Sequence, residues 1–129
     1  MNPTPEPVLL YTTWPDAERA DAAGRALVER RLAACVNRLA PMVSTYSWEG
    51  KFETATEVPM LIKSTRARLD DLMAAIPRLH PYDVPAILVL PVVGVHAPFA
   101  GWIAEQTADR PTAVLPEQVP PGFEGGRDG

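Results

Sequence analysis

An α+β fold, with helices on one face of an antiparallel sheet, is predicted by three features of this 129-residue chain. Two amphipathic helical stretches, near residues 16–34 and 65–79, each follow a β-rich apolar run. A polar turn, Ser47-Trp48-Glu49-Gly50-Lys51, separates two extended segments and marks a hairpin. A last apolar run, Val84 to Val93, is broken mainly by prolines, which suits a strand covered on both sides.

The first strand is VLLYTT, residues 8–13, rich in apolar and β-favouring side chains. Thr13-Trp14-Pro15-Asp16 then predicts a helix start, with Thr13 as the cap, Pro15 in the first turn and Asp16 answering three residues on. The helix is predicted to reach about Ala34, with Ala20, Ala23, Leu27 and Leu32 on its apolar face and Gly24 allowing close approach to a sheet. Cys35 to Tyr46 reads as a second strand interrupted at Pro41. Phe52 to Ser64 returns as a third, bulged or unpaired at Pro59. Thr65 is placed to cap a second helix carrying Leu69, Leu72, Met73 and Ile76, which Pro77 and Pro81 end. A final helix with Phe99, Trp102 and Ile103 reaches about Asp109.

Residues 110–129 hold four of the 15 prolines and four of the eight glycines, so they are predicted to form a disordered tail, save for a docked stretch at 113–115. Residues 1–109 make one domain. The order β-α-β-β-α-β plus a terminal helix is ferredoxin-like. It leaves one sheet face short of cover, and Tyr46, Trp48 and Phe52 gather at the hairpin, which together point to an oligomer.

A net charge of −4 and a pI near 5.1 exclude the basic footprint of a nucleic-acid or anionic-membrane binder. Cys35 is the only cysteine, so no disulfide forms within the chain, as suits a reducing cytoplasm. The start, MNPTPEP, lacks the features of a secretory signal, and no apolar run approaches the roughly 20 residues of a membrane span. A cytoplasmic, soluble protein is expected.

The residues with chemistry to offer centre on His80-Pro81-Tyr82-Asp83. His80 can ligate a borderline metal with carboxylates such as Glu49 or Asp83, or pair with them as a general acid and base. Against both stands a structural role, since a histidine at a helix C-terminus is favoured by the helix dipole and by hydrogen bonding. Topology places His80, Tyr82 and Asp83 at the sheet end that also carries Thr12, Thr13, Trp48 and Glu49, and puts Cys35 at the opposite end. His96 reads as a surface loop residue. Lys63, in an apolar strand, can anchor an anion or extend its stem to solvent. No nucleophile motif surrounds Cys35, and no phosphate-binding glycine loop is present, so an enzyme is not predicted.

Four motifs in register carry a resemblance: Leu32-Ala33-Ala34-Cys35-Val36-Asn37, Tyr46-Ser47-Trp48-Glu49-Gly50-Lys51, Leu61-Ile62-Lys63 and His80-Pro81-Tyr82-Asp83-Val84-Pro85. Over residues 7–109 the chain resembles the CutA divalent-cation tolerance proteins. The resemblance implies a ferredoxin-like subunit that forms a homotrimer through its long hairpin, in outline like PII-type signalling proteins. It also implies a link to copper and other divalent cations, with Cu²⁺ as the candidate ion. An intersubunit cleft is implied around Tyr46, Trp48, Glu49, Lys63, His80 and Tyr82. The family's usual glutamate after the second proline is replaced by Ala86, and the copper-associated members carry a cysteine and a second histidine where this chain has Thr12 and Leu79. That loss weakens binding of soft metals. The alternative expectation is a PII-like module holding a small anionic ligand near Lys63.

Overall fold

The computed structural model describes residues 5–108. The predicted tail at 110–129, its stretch at 113–115, and residues 1–4 of the domain lie outside the described residues. The elements are β1 (Pro7–Trp14), α1 (Ala17–Glu29), β2 (Cys35–Arg38), β3 (Met42–Trp48), β4 (Lys51–Thr65), α2 (Leu69–Leu79), β5 (Ile87–Pro91) and α3 (Ala97–Gln106). The antiparallel sheet runs β2-β4-β1-β5, with β3 continuing the β2 side of β4. This is the predicted α+β, ferredoxin-like arrangement.

Alternation along the strands builds the core. Val8, Leu10 and Trp14 of β1 and Val58, Met60 and Ile62 of β4 are buried in one cluster with Leu27 of α1 and Leu72 and Ile76 of α2. Each large side chain so buried contributes about 1.5–3 kcal/mol. Gly24 is needed where α1 crosses the sheet, because a Cβ there would lie 2.6 Å from Val36 Cγ2.

Several predicted boundaries move, each for a local reason. Thr13 is not the cap of α1, because it is buried in β1 opposite Pro59. Asp16 caps instead, its carboxylate accepting the Arg19 N–H at 2.8 Å. The helix stops at Glu29 rather than Ala34: Arg31 takes φ 61°, and the Leu32 and Ala33 N–H groups both turn back to the Leu27 carbonyl. Thr65 closes β4 and makes no side-chain cap, and a short 3₁₀ turn at Arg66–Arg68 leads into α2. Pro77 falls inside α2, which ends at Leu79.

The interruption expected at Pro59 lies on the facing strand. β4 is continuous, but Arg38 pairs with Met60 while Met42 pairs with Glu57, so residues 39–41 stand against 58–59. This extra residue is a bulge. The Pro59 carbonyl still accepts the Leu39 N–H at 2.9 Å, and the missing proline N–H falls opposite the break.

Two surfaces extend from this core. Beyond Val58, β4 loses β1 and pairs with β3 alone as far as Lys51. At roughly 3.4 Å per residue the hairpin overhangs the sheet by about 20 Å. Its tip is a two-residue turn with Glu49 at φ 52° and Gly50 at φ 80°, the paired positive φ of a type I′ hairpin. The other surface is β5. Among the described residues it pairs with β1 alone and leaves Leu88 61% exposed, so they do not supply the expected cover on both faces. α3 instead lays Trp102 and Ile103 against Ala34 and Cys35, on the β2 side.

Candidate functional site

The site that the sequence singles out lies where α2 ends beside the end of β1. His80 is the C-cap of α2, leaves helical geometry at φ −93° and ψ 137°, and is followed by Pro81, which cannot continue the helix hydrogen bonding. The imidazole turns inward and is 7% exposed. Its Nδ1 accepts the Tyr82 N–H at 3.1 Å. Nδ1 is therefore the unprotonated nitrogen, and Nε2–H donates to the Thr13 carbonyl at 2.6 Å. The ring stacks on Trp14 with centroids 4.3 Å apart and meets Tyr82 at 4.7 Å, tilted. Trp14 Nε1–H donates to the Thr12 hydroxyl at 2.8 Å, which donates to the Met60 carbonyl at 3.0 Å. Buried polar groups are thus satisfied from β4 through β1 to the segment after α2.

Outside this interior lies a phenol and carboxylate rim. Tyr46 pairs directly with Glu53 across the hairpin, and the Tyr82 hydroxyl points to Glu57 Oε2 at 3.4 Å. Desolvation, then the charge and hydrogen bonding of Glu53 and the charge of Glu57, push the Tyr46 phenol up. Desolvation and Glu57 likewise push the Tyr82 phenol up, with Arg19 on α1 opposing. Both phenols therefore stay protonated as hydrogen-bond donors beyond the usual tyrosine range.

The other sequence candidates are spread along the chain. Glu49 sits at the hairpin tip and Asp83 on the exposed bridge, whereas His80 is interior. The shared end predicted for His80 and Glu49 holds in direction alone, because the overhang carries Glu49 about 20 Å past the sheet. Trp48, 54% exposed, goes with it. Lys63 lies toward the other end of β4, opposite Leu9 and Cys35, its Nζ 5.6 Å from the Phe99 ring centroid. Burial pushes the Cys35 thiol up, and the Lys63 charge partly offsets this. Within one chain, the residues expected to share a cleft bring together His80, Tyr82 and Tyr46, while Trp48, Glu49 and Lys63 stand apart. Arg19, Glu53, Glu57 and Trp14 were not among the candidates. The hairpin register fixes Tyr46 against Glu53 once Glu49-Gly50 is read as a two-residue turn, so that pair was within reach of the sequence.

A resident cation finds little to hold it in a single chain. No group of three or more His, Cys, Asp or Glu side chains is assembled among the described residues. The one imidazole in the bridge has both nitrogens engaged by backbone. No helix among the described residues is long and apolar enough to cross a membrane.

Comparison with known proteins settles the lineage of this arrangement. The family model for CutA1 divalent ion tolerance protein matches residues 8–106. The chain belongs to the CutA1 family. It is 42% identical over 101 residues to a divalent-cation tolerance protein CutA of Pectobacterium atrosepticum, covering 78% of this chain and 92% of that one. It is 39% identical over 100 residues to the CutA of Pyrococcus horikoshii, covering 78% and 97%. Among solved structures, CutA1 of Ehrlichia chaffeensis superposes with a TM-score of 0.79 at 32% identity, over 82% of this chain and 99% of that chain. The CutA1 match spans the sheet, the overhanging hairpin and α3, so these features fall within the shared domain.

Proposed function

We propose that this CutA1 chain serves divalent-cation tolerance, copper included, as a non-catalytic cytoplasmic homotrimer. The observation that carries the reading is the surface one chain leaves apolar. Phe52 is 89% exposed, Trp48, Val43 and Leu88 are also exposed, and Phe52, Trp48 and Val43 ride on a hairpin with no other strand beside it among the described residues. Surfaces of this kind are covered by partners in stable assemblies. The absence of a catalytic role is supported by His80, whose nitrogens face backbone groups rather than a nucleophile. Light scattering at micromolar concentration should give the mass of three chains, and a monomer would refute the assembly. Expression in a bacterial host lacking its own relative should restore growth on copper salts. Equal sensitivity with and without the chain would refute the tolerance role.

A second reading follows from Lys63. Its ammonium makes no ion pair with a carboxylate among the described residues and stands beside Cys35 and Phe99. That supports a small anionic ligand bound in the manner of a PII-like module. A metabolite panel should then raise the melting temperature of the parent and leave Lys63→Met unmoved. No rise with any anion removes this reading.

A further inference from the structure

We infer that His80 is a latch of the fold and not a cation ligand, so that cation tolerance in this chain does not run through its bridge histidine. A metal takes an imidazole through a nitrogen lone pair. The Nδ1 lone pair of His80 already receives the Tyr82 N–H, and the Nε2 hydrogen lies against the Thr13 carbonyl. Coordination at Nδ1 expels a backbone donor, and coordination at Nε2 replaces a short bond to a buried acceptor. Trp14 and Tyr82 lie against the ring itself. Neither of the polar partners of the imidazole is a carboxylate, thiol or second imidazole.

The latch has a definite task. Through Tyr82 it fixes the turn after α2, and through Thr13 it fixes the end of β1. Beside it, Trp14 and Thr12 carry the same strand end to Met60 of β4. The bridge from His80 to Ala86 is otherwise mostly exposed and without regular structure. The inference is independent of the homotrimer, since every contact it uses lies within one chain.

The test is ¹⁵N–¹H correlation of the imidazole rings in the full chain, titrated with Zn²⁺ as a diamagnetic probe and repeated by calorimetry with Cu²⁺. His80 should show the Nε2–H tautomer, with resonances unmoved by several equivalents of Zn²⁺. Exposed His96 serves as the internal control. His80→Asn, which keeps an acceptor near the Nδ1 position, should melt below the parent and give the same Cu²⁺ heats. Saturable movement of the His80 nitrogens at one Zn²⁺ per chain would overturn the inference. So would Cu²⁺ heats present in the parent and lost in His80→Asn. The ring measurement needs no variant, so it decides the question even if His80→Asn fails to fold.

Discussion

The bridge that begins at His80 and the hairpin overhang behave in opposite ways. At the His80 end, an imidazole that looks fit for chemistry is buried and spent on backbone partners. On the overhang, Trp48 and Phe52 look fit for a core, yet they stand in solvent. The lesson is that residue type does not by itself reveal availability. A histidine can be used up by the fold, while aromatics can be left over for a partner.

The sharpest way to break this contrast is to strip the overhang. Trp48→Ala with Phe52→Ala should weaken self-association by about 4 kcal/mol, taking about 2 kcal/mol for each aromatic hot spot. Sedimentation equilibrium would read it, and an unchanged mass at sub-micromolar concentration would disprove the role. His80→Ala should cost about 3 kcal/mol in urea unfolding, because it leaves the Thr13 carbonyl and Tyr82 N–H without their partner. A loss below about 0.5 kcal/mol, the scale of an ordinary surface change, would mean the latch is idle.

Smaller effects test the frame that holds both regions. Gly24→Ala should cost about 2 kcal/mol by overpacking, since the new Cβ meets Val36 Cγ2 at 2.6 Å and Met60 Sδ at 3.3 Å. Val36→Ala in the same chain should recover part of it, so strictly additive losses would contradict the contact. Gly50→Ala meets nothing within 4 Å, so its cost of about 1 kcal/mol comes from φ +80° alone. The smallest effect concerns Cys35. Its raised thiol means that the folded chain resists ionisation, so the stability it lends is full below the unfolded thiol value and is lost as pH rises through the folded one. Alkylation of the native chain should accelerate at more alkaline pH than for a free thiol. A rate profile matching free cysteine would contradict burial as the cause.

Much of the fold was legible because periodicity is local. Leu72 and Ile76 announced the buried face of α2, and Glu49-Gly50 announced the hairpin. Boundaries were less legible where a residue had two possible uses. Thr13 suits a cap and a strand equally, and pairing with β4 decided for the strand. Of the residues expected to share the candidate site, the fold of one chain gathers only part. Glu49 at the turn and Lys63 near the far end of β4 were both expected beside Tyr46 and Tyr82, yet the strand rise along β4 carries the two far apart.

By itself the sequence determined the order of elements, the apolar faces of the helices and the turn chemistry of the hairpin, since each depends on neighbours a few residues away. Tertiary structure alone decided which nitrogen of His80 carries the proton, which face of β5 stays open and how far the hairpin overhangs. Those depend on Thr13, on α3 lying against Ala34 and Cys35, and on where β1 ends against β4. Such contacts join residues remote in the chain, and no local pattern encodes them.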